Sequence, residues 1–158
     1  MIGSGTNQGI LTGRNILITG GTGFLGKRLA KACLEEFDPN RVVIFSRDDM
    51  KQSIMREEDG FQDERLRFFI GDIRDQERLY RALNGVDIVI HTAAMRRIIE
   101  TEYNPFEAVK TNIIGTKNLI DFMDGSIMMR PQIKPLLFLK VKSIILCKMD
   151  TCPLSTKQ

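Results

Sequence analysis

Gly20, Gly23 and Gly26 lie at equal spacing after the short apolar run Asn15–Thr19, and a stretch with helical periodicity follows them. Glycine serves a different purpose at each place. Gly20 allows a turn too tight for a side chain, Gly23 lets the main chain approach a pyrophosphate, and Gly26 lets the helix pack close to the strand. The free N–H groups and the positive end of the helix dipole then face the phosphates. The chemistry these residues suit is dinucleotide binding, with Gly20, Thr22, Gly23, Phe24, Leu25 and Gly26 as the phosphate loop. A glycine-rich turn with no ligand would carry the same three glycines. The strand before, the helix after and a second strand at the right distance favour the dinucleotide.

The second strand ends at Ser46-Arg47, about 20 residues beyond the last glycine, where an adenosine ribose would sit. An acid there would accept from a 2′-hydroxyl. Ser46, Arg47 and Lys51 can instead donate to a 2′-phosphate, which favours NADP over NAD. Asp48 and Asp49 leave open a plainer reading, in which Arg47 pairs with them on the surface. Asp72 can accept from an adenine amino group with Ile73 against the ring, or be a turn residue. After the fourth strand, Thr92, Ala93 and Ala94 are small enough to leave room for a ribose and nicotinamide. His91, the single histidine, sits at a buried strand end and is read as structural.

The elements that must position these residues alternate. Strands are expected at Asn15–Thr19, Arg41–Ser46, Leu66–Ile70 and Val86–His91, each an apolar run bounded by polar or turn residues. Leu25, Leu29, Cys33 and Phe37 form the apolar stripe of the first helix. Arg47 to Arg65 reads as a solvated helix and loop. Asp75 caps a helix bearing Leu79 and Leu83, with Gly85 at its end. Asn104-Pro105-Phe106-Glu107 starts another: Asn as cap, Pro in the first position, Glu completing a capping box, with Phe106, Val109, Ile113 and Ile120 following at helical spacing. This alternation predicts an α/β fold, a Rossmann-like doubly wound parallel sheet, incomplete at the C-terminus. Residues 1–13 are expected as a flexible N-terminal segment and 14–124 as the dinucleotide-binding domain. Residues 125–158 form an atypical basic tail in which Pro135–Leu139 and Ser143–Cys147 could be strands, one of them pairing as a fifth.

A chain of 158 residues makes one domain, and 42% hydrophobic with 27% charged residues excludes disorder. No apolar run approaches the length of a membrane span, and Met1 to Gly13 lacks the apolar centre of a secretory signal. The net charge of +3 belongs to the tail, where six Lys/Arg and one acid follow Ser126, so no nucleic-acid partner is expected. Three cysteines without a Cys-x-x-Cys spacing point to reduced thiols in a cytoplasmic protein with no metal.

The combination of Thr19-Gly20-Gly21-Thr22-Gly23-Phe24-Leu25-Gly26, Gly71-Asp72 and His91-Thr92-Ala93-Ala94 resembles the extended short-chain dehydrogenases/reductases. Phe45-Ser46-Arg47-Asp48 with Lys51-Gln52, Arg67 to Asp75, and Glu102-Tyr103-Asn104-Pro105 followed by Lys110-Thr111-Asn112 narrow the resemblance. They point to the CapD-like polysaccharide-biosynthesis enzymes, above all the inverting UDP-N-acetylglucosamine 4,6-dehydratases. The likeness runs from about Asn15 to Asp121.

It implies that a held NADP takes hydride from sugar C4, that water leaves from C6, and that the hydride returns there. It implies a UDP-sugar partner; a homo-oligomer is expected because the strands that should cover the apolar sheet edge are absent. Thr22 to Phe24, Ser46 to Lys51, Asp72, Ile73 and Thr92 would contact the cofactor, and Asn112 would lie near the active site. Arg96 stands where the family carries a lysine reaching cofactor and substrate. The family's Tyr-x-x-x-Lys is absent, since Tyr80 and Tyr103 are the only tyrosines and neither fits, so no catalytic residue can be named. A truncation or a changed reading frame after about Phe122 is expected, and the cofactor half alone is expected to be catalytically incomplete. A UDP-sugar epimerase and a non-catalytic nucleotide-binding or interaction module are the alternatives.

Overall fold

The computed structural model describes residues 9–123 and, for the backbone, strands Leu137–Lys140 and Ile145–Cys147. The strands β1 (Asn15–Thr19), β2 (Arg41–Ser46), β3 (Leu66–Ile70), β4 (Ile88–His91), β5 (Leu137–Lys140) and β6 (Ile145–Cys147) form one sheet. Their order is β3-β2-β1-β4-β5-β6. β1 to β5 run parallel, and β6 turns antiparallel against β5. The register pairs Thr19 with both Phe45 and His91, so β1 and β4 end level and β2 runs one residue further.

Parallel strands covered on both faces need apolar residues throughout, which is why β1, β2 and β4 are continuous apolar runs. Alternate residues serve opposite faces. Ile16, Ile18, Val42, Ile44, Ile88 and Ile90 pack with Ala30, Cys33 and Leu34 of α1 (Phe24–Glu36) and Met55 of α2 (Asp49–Glu57). Leu17, Val43, Phe45 and Val89 pack with Leu79, Ala82 and Leu83 near α3 (Gln76–Ala82), and with Leu119 of α6 (Gly115–Met123). Each such aliphatic side chain contributes roughly 1.5–3 kcal/mol when fully buried. Helices thus cover both faces, as a doubly wound sheet requires. Between β4 and α6 the chain forms α4 (Ile98–Tyr103), α5 (Pro105–Val109) and a π-helical turn over Lys110–Ile114.

Several local expectations are corrected. The buried face of α1 is Gly26, Ala30, Cys33 and Leu34, while Leu25 and Leu29 are half-buried. Small residues face the sheet because the helix starts too close to β1 for large ones. β4 begins at Ile88, two residues later than Val86, which instead closes the turn after α3 by donating its N–H to Leu83. Asn104 caps no helix with its side chain, which donates to the Glu100 carbonyl, and Glu107 bonds Arg74 and Lys110 in place of a capping box. Phe106, Val109, Ile113 and Ile120 do mark a helical face, but it points outward, and Ala108, Thr111, Gly115, Asn118 and Leu119 face inward.

Of the N-terminal segment, Gly9 to Gly13 belong to a turn that buries Leu11. The backbone of Leu137–Lys140 supplies the fifth parallel strand beside β4, two residues later than the expected Pro135–Leu139. Met1 to Gln8 and the rest of the basic tail lie outside the described residues.

Candidate functional site

The ends of β1, β2, β3 and β4 open into one cavity of about 510 Å³. It lies where the chain order reverses, with β2 and β3 on one side of β1 and β4 on the other, the usual ligand position in such sheets. Every residue proposed from the sequence for the cofactor lines this cavity: Gly20, Thr22, Gly23, Phe24, Leu25, Gly26, Ser46, Arg47, Asp48, Lys51, Asp72, Ile73, Thr92, Ala93 and Arg96. Asn112 and His91 line it too.

Gly20 has φ +68°, and a Cβ there would sit 2.8 Å from both Cα and N of Ala93. The turn therefore runs against the loop after β4, with no space for a side chain. At Gly26 a Cβ would lie 2.5 Å from the Gly20 carbonyl oxygen and 2.6 Å from the Gly21 Cα. Gly23 is the N-cap of α1 and no side chain caps that end, so the first N–H groups of a 13-residue helix remain for a ligand.

On the β2 side, Arg47 Nη1 lies 3.7 Å from Asp72 Oδ2, so its charge points across the cavity mouth and is not spent on Asp48 or Asp49. Asp48 caps α2 by accepting the Lys51 N–H at 2.9 Å, and Lys51 Nζ pairs with it at 2.9 Å. That N–H, then the Lys51 side chain, hold the Asp48 carboxyl below its ordinary range. Buried Gln52 braces the strand ends, its amide donating to the Ser46 carbonyl and hydroxyl and to the Phe69 carbonyl, at 3.1–3.2 Å. Burial works to raise the Asp72 pKa, but hydrogen bonds from the Arg74 side chain and N–H outweigh it and leave the carboxyl below its usual range.

At the β4 end a row of hydrogen bonds crosses the fold. Thr116 Oγ1 donates to the Asn112 carbonyl at 2.7 Å, so toward His91 it can only accept, and His91 Nε2 lies 3.1 Å away. His91 Nε2 therefore carries the proton, and Nδ1 accepts from Thr19 Oγ1 at 2.6 Å. These bonds tie His91 to β1 and α6 at the wall of the cavity. Asn112, inside the π-helical turn, accepts from the Met95 N–H at 2.8 Å and donates to the Met95 carbonyl at 2.9 Å, fixing the loop after β4. The Thr92 hydroxyl donates to the Thr19 carbonyl. Thr19, Gln52 and Thr111 stood in the sequence only as members of motifs, with no site role, and Met95 and Thr116 were not singled out, because Met95 takes part through its backbone and a lone threonine carries no spacing signal.

These residues suit a nicotinamide dinucleotide. The cavity offers an uncapped helix end to phosphate and a guanidinium near the end of β2. The Thr111 hydroxyl also lines it, buried and with no hydrogen-bond partner among the described residues. A buried polar group of that kind is costly unless something else bonds it.

Comparison with known proteins agrees with this architecture. Over 112 residues the chain is 51% identical to the UDP-N-acetylglucosamine 4,6-dehydratase (inverting) of Campylobacter jejuni, covering 71% of this chain and 33% of that protein. It is similar to the X-ray structure of Pen from Bacillus thuringiensis (TM-score 0.67, 44% identity, 72% of this chain and 34% of that one). It is also similar to the UDP-glucose-4-epimerase of Stenotrophomonas maltophila with bound NAD and formylated UDP-arabinopyranose (TM-score 0.59, 25% identity, 70% and 33%). The chain thus spans about a third of the length of these relatives. The family model described as polysaccharide biosynthesis protein matches residues 16–128, and the chain belongs to that family.

Proposed function

We propose that residues 14–124 form the NADP-binding portion of a sugar-nucleotide 4,6-dehydratase of the UDP-N-acetylglucosamine type. The observation that carries this is the single cavity uniting the glycine loop, Arg47, Asp72 and the loop after β4, in a chain half-identical to such a dehydratase over 112 residues.

When bound, the dinucleotide would accept a hydride from the sugar and return it. The chain's own residues supply the grip. The start of α1 and Gly23 meet the pyrophosphate, Arg47 and Lys51 the 2′-phosphate, and Asp72 and Ile73 the adenine. Thr92, Ala93 and Arg96 flank the nicotinamide end, and Asn112 holds the loop that carries Met95 in place. No Tyr-x-x-x-Lys occurs in the 158 residues, so proton transfer has no identified donor here.

Titration calorimetry tests the reading. NADP binds in preference to NAD, and UDP-N-acetylglucosamine is not turned over by this chain alone. Absence of binding by either dinucleotide would overturn the cofactor assignment. A UDP-sugar epimerase is the second reading, favoured by the similarity to the Stenotrophomonas maltophila enzyme.

A homo-oligomer belongs to the same proposal. Its support is the outward face of α5 to α6, where Phe106 is 79% and Ile113 61% exposed. A dilution-resistant monomer by light scattering would refute that part. A cytoplasmic location is proposed with it; no helix among the described residues is long and apolar enough to cross a membrane.

A further inference from the structure

We propose that Arg74 is a positioning residue for base selection: it stays outside the cavity and orients the Asp72 carboxylate so that one acceptor site remains for the 6-amino group of an adenine nucleotide. This rests on the cofactor reading above and adds a residue that reading does not contain.

Asp72 and Ile73 line the cavity, whereas Arg74 and Glu107 do not. Arg74 reaches Asp72 from behind three times. Its backbone N–H donates to Oδ1 at 2.9 Å, and its Nε and Nη2 donate to Oδ2 at 2.8 and 2.6 Å. An ionised carboxylate has about four acceptor positions. Three are taken, and Oδ2 is filled by the guanidinium fork, which leaves one position on Oδ1. Both guanidinium donors bind Oδ2 while the main-chain N–H binds Oδ1, so the two oxygens are held from different directions and the carboxylate's orientation is set as well as its charge.

Arg74 is itself anchored, because its Nη1 donates to Glu107 at the start of α5, and Glu107 also holds Lys110. The backbone carrying Asp72 is clamped by the next helix. Asn118 Nδ2 donates to the Ile73 carbonyl at 3.0 Å and lies 3.3 Å from the Arg74 carbonyl oxygen, and a Cβ at Gly115 would meet Ile73 side-chain atoms at 2.5 Å. Two helices away from the phosphate loop, the fold thus fixes one carboxylate whose single open acceptor favours an amino group and opposes a carbonyl at the same ring position.

The test compares NADP with its 6-oxo analogue, nicotinamide hypoxanthine dinucleotide phosphate, by titration calorimetry on the 158-residue chain. The unmodified chain is expected to prefer NADP about tenfold, the discrimination of one hydrogen bond to a charged group. In Arg74→Gln the preference falls to within about twofold, while affinity for the 6-oxo analogue changes little. Arg74→Lys keeps the charge without the fork and is expected to lose the preference as well. Glu107→Gln, which removes only the far anchor, lowers the preference too and carries the test if the Arg74 variants do not fold. Equal weakening of both ligands in these variants, with the ratio intact, would overturn the proposal and make Arg74 merely structural. Equal binding of both ligands by the unmodified chain overturns it while sparing the cofactor reading. Binding of neither overturns both.

Discussion

Two alanine substitutions in the phosphate loop separate packing from ligand contact. In an ordinary helix interior, Gly→Ala stabilises by about 1 kcal/mol. At Gly26 the added Cβ would sit 2.5 Å from the Gly20 carbonyl oxygen and 2.6 Å from the Gly21 Cα, against the 3.4–4 Å of ordinary contact, an overlap of roughly 1 Å. Both neighbours are backbone, so no side chain can swing away and α1 must move off the loop. Overpacking of this kind costs about 1–3 kcal/mol, which exceeds the helix-propensity gain. Gly26→Ala is therefore expected to lower stability by about 1–2 kcal/mol, or several degrees in Tm. Because Gly20 and Gly21 are displaced with it, NADP affinity should fall more than about tenfold. At Gly23 the Cβ would meet only the Gly20 carbonyl oxygen, at 3.2 Å, and the backbone (φ −76°, ψ 165°) suits alanine. Gly23→Ala should cost no more than about 1 kcal/mol as a poorer N-cap, yet its methyl group occupies the space where a pyrophosphate would lie, so affinity should fall comparably. Urea denaturation and calorimetry on the two variants measure both quantities. A stabilised Gly26→Ala, or a Gly23→Ala that binds NADP like the parent chain, would refute this account of the loop.

Other outcomes follow from single groups. Arg47→Glu should weaken NADP by about tenfold or more and leave NAD nearly unchanged, measured by the same calorimetry. Asp72 has its folded pKa pulled below 3.8, so it stabilises the fold above the unfolded value and the contribution is lost as pH falls through the lower folded one. Asp72→Asn should therefore flatten the acid side of a urea-midpoint profile below about pH 4, and an unchanged slope would contradict the Arg74 contact. The Cys33 thiol is pushed up to about 11 by burial and then by Glu36, so alkylation at neutral pH should reach Cys33 only when the chain is unfolded, as read by peptide mass mapping.

The parts legible in sequence were those governed by short-range rules. Apolar runs bounded by polar or turn residues located β1, β2 and β3 to the residue; β1 and β2 are buried on both faces, and the edge strand β3 is marked by its Phe68-Phe69 pair. The fifteen cavity residues were legible because a phosphate grip requires glycine at set intervals and strand ends converge in this topology. Periodicity misled in α1 and in the run from α5 through α6 for one reason. Apolar spacing reports that a helix has two faces, and neither face is labelled as inner. Close approach of helix to sheet put Gly26, Ala30, Gly115 and Asn118 inside, and left Phe106 and Ile113 outside. The link from Arg74 to Glu107 was invisible for a different reason, since tertiary placement joins residues far apart in the chain, while the neighbouring Asp72–Arg74 contact leaves no spacing signal of its own.

The nearly level endings of the parallel strands have a consequence for inheritance. Among the described residues every cavity-lining residue precedes residue 117, so the whole grip lies in one continuous stretch of sequence. A stretch of this sort can be copied and joined to new partners without rebuilding the hold on its ligand, while the portion that chooses a sugar and its outcome diverges by itself. A dehydratase and an epimerase can then share the same opening third and differ in what comes after.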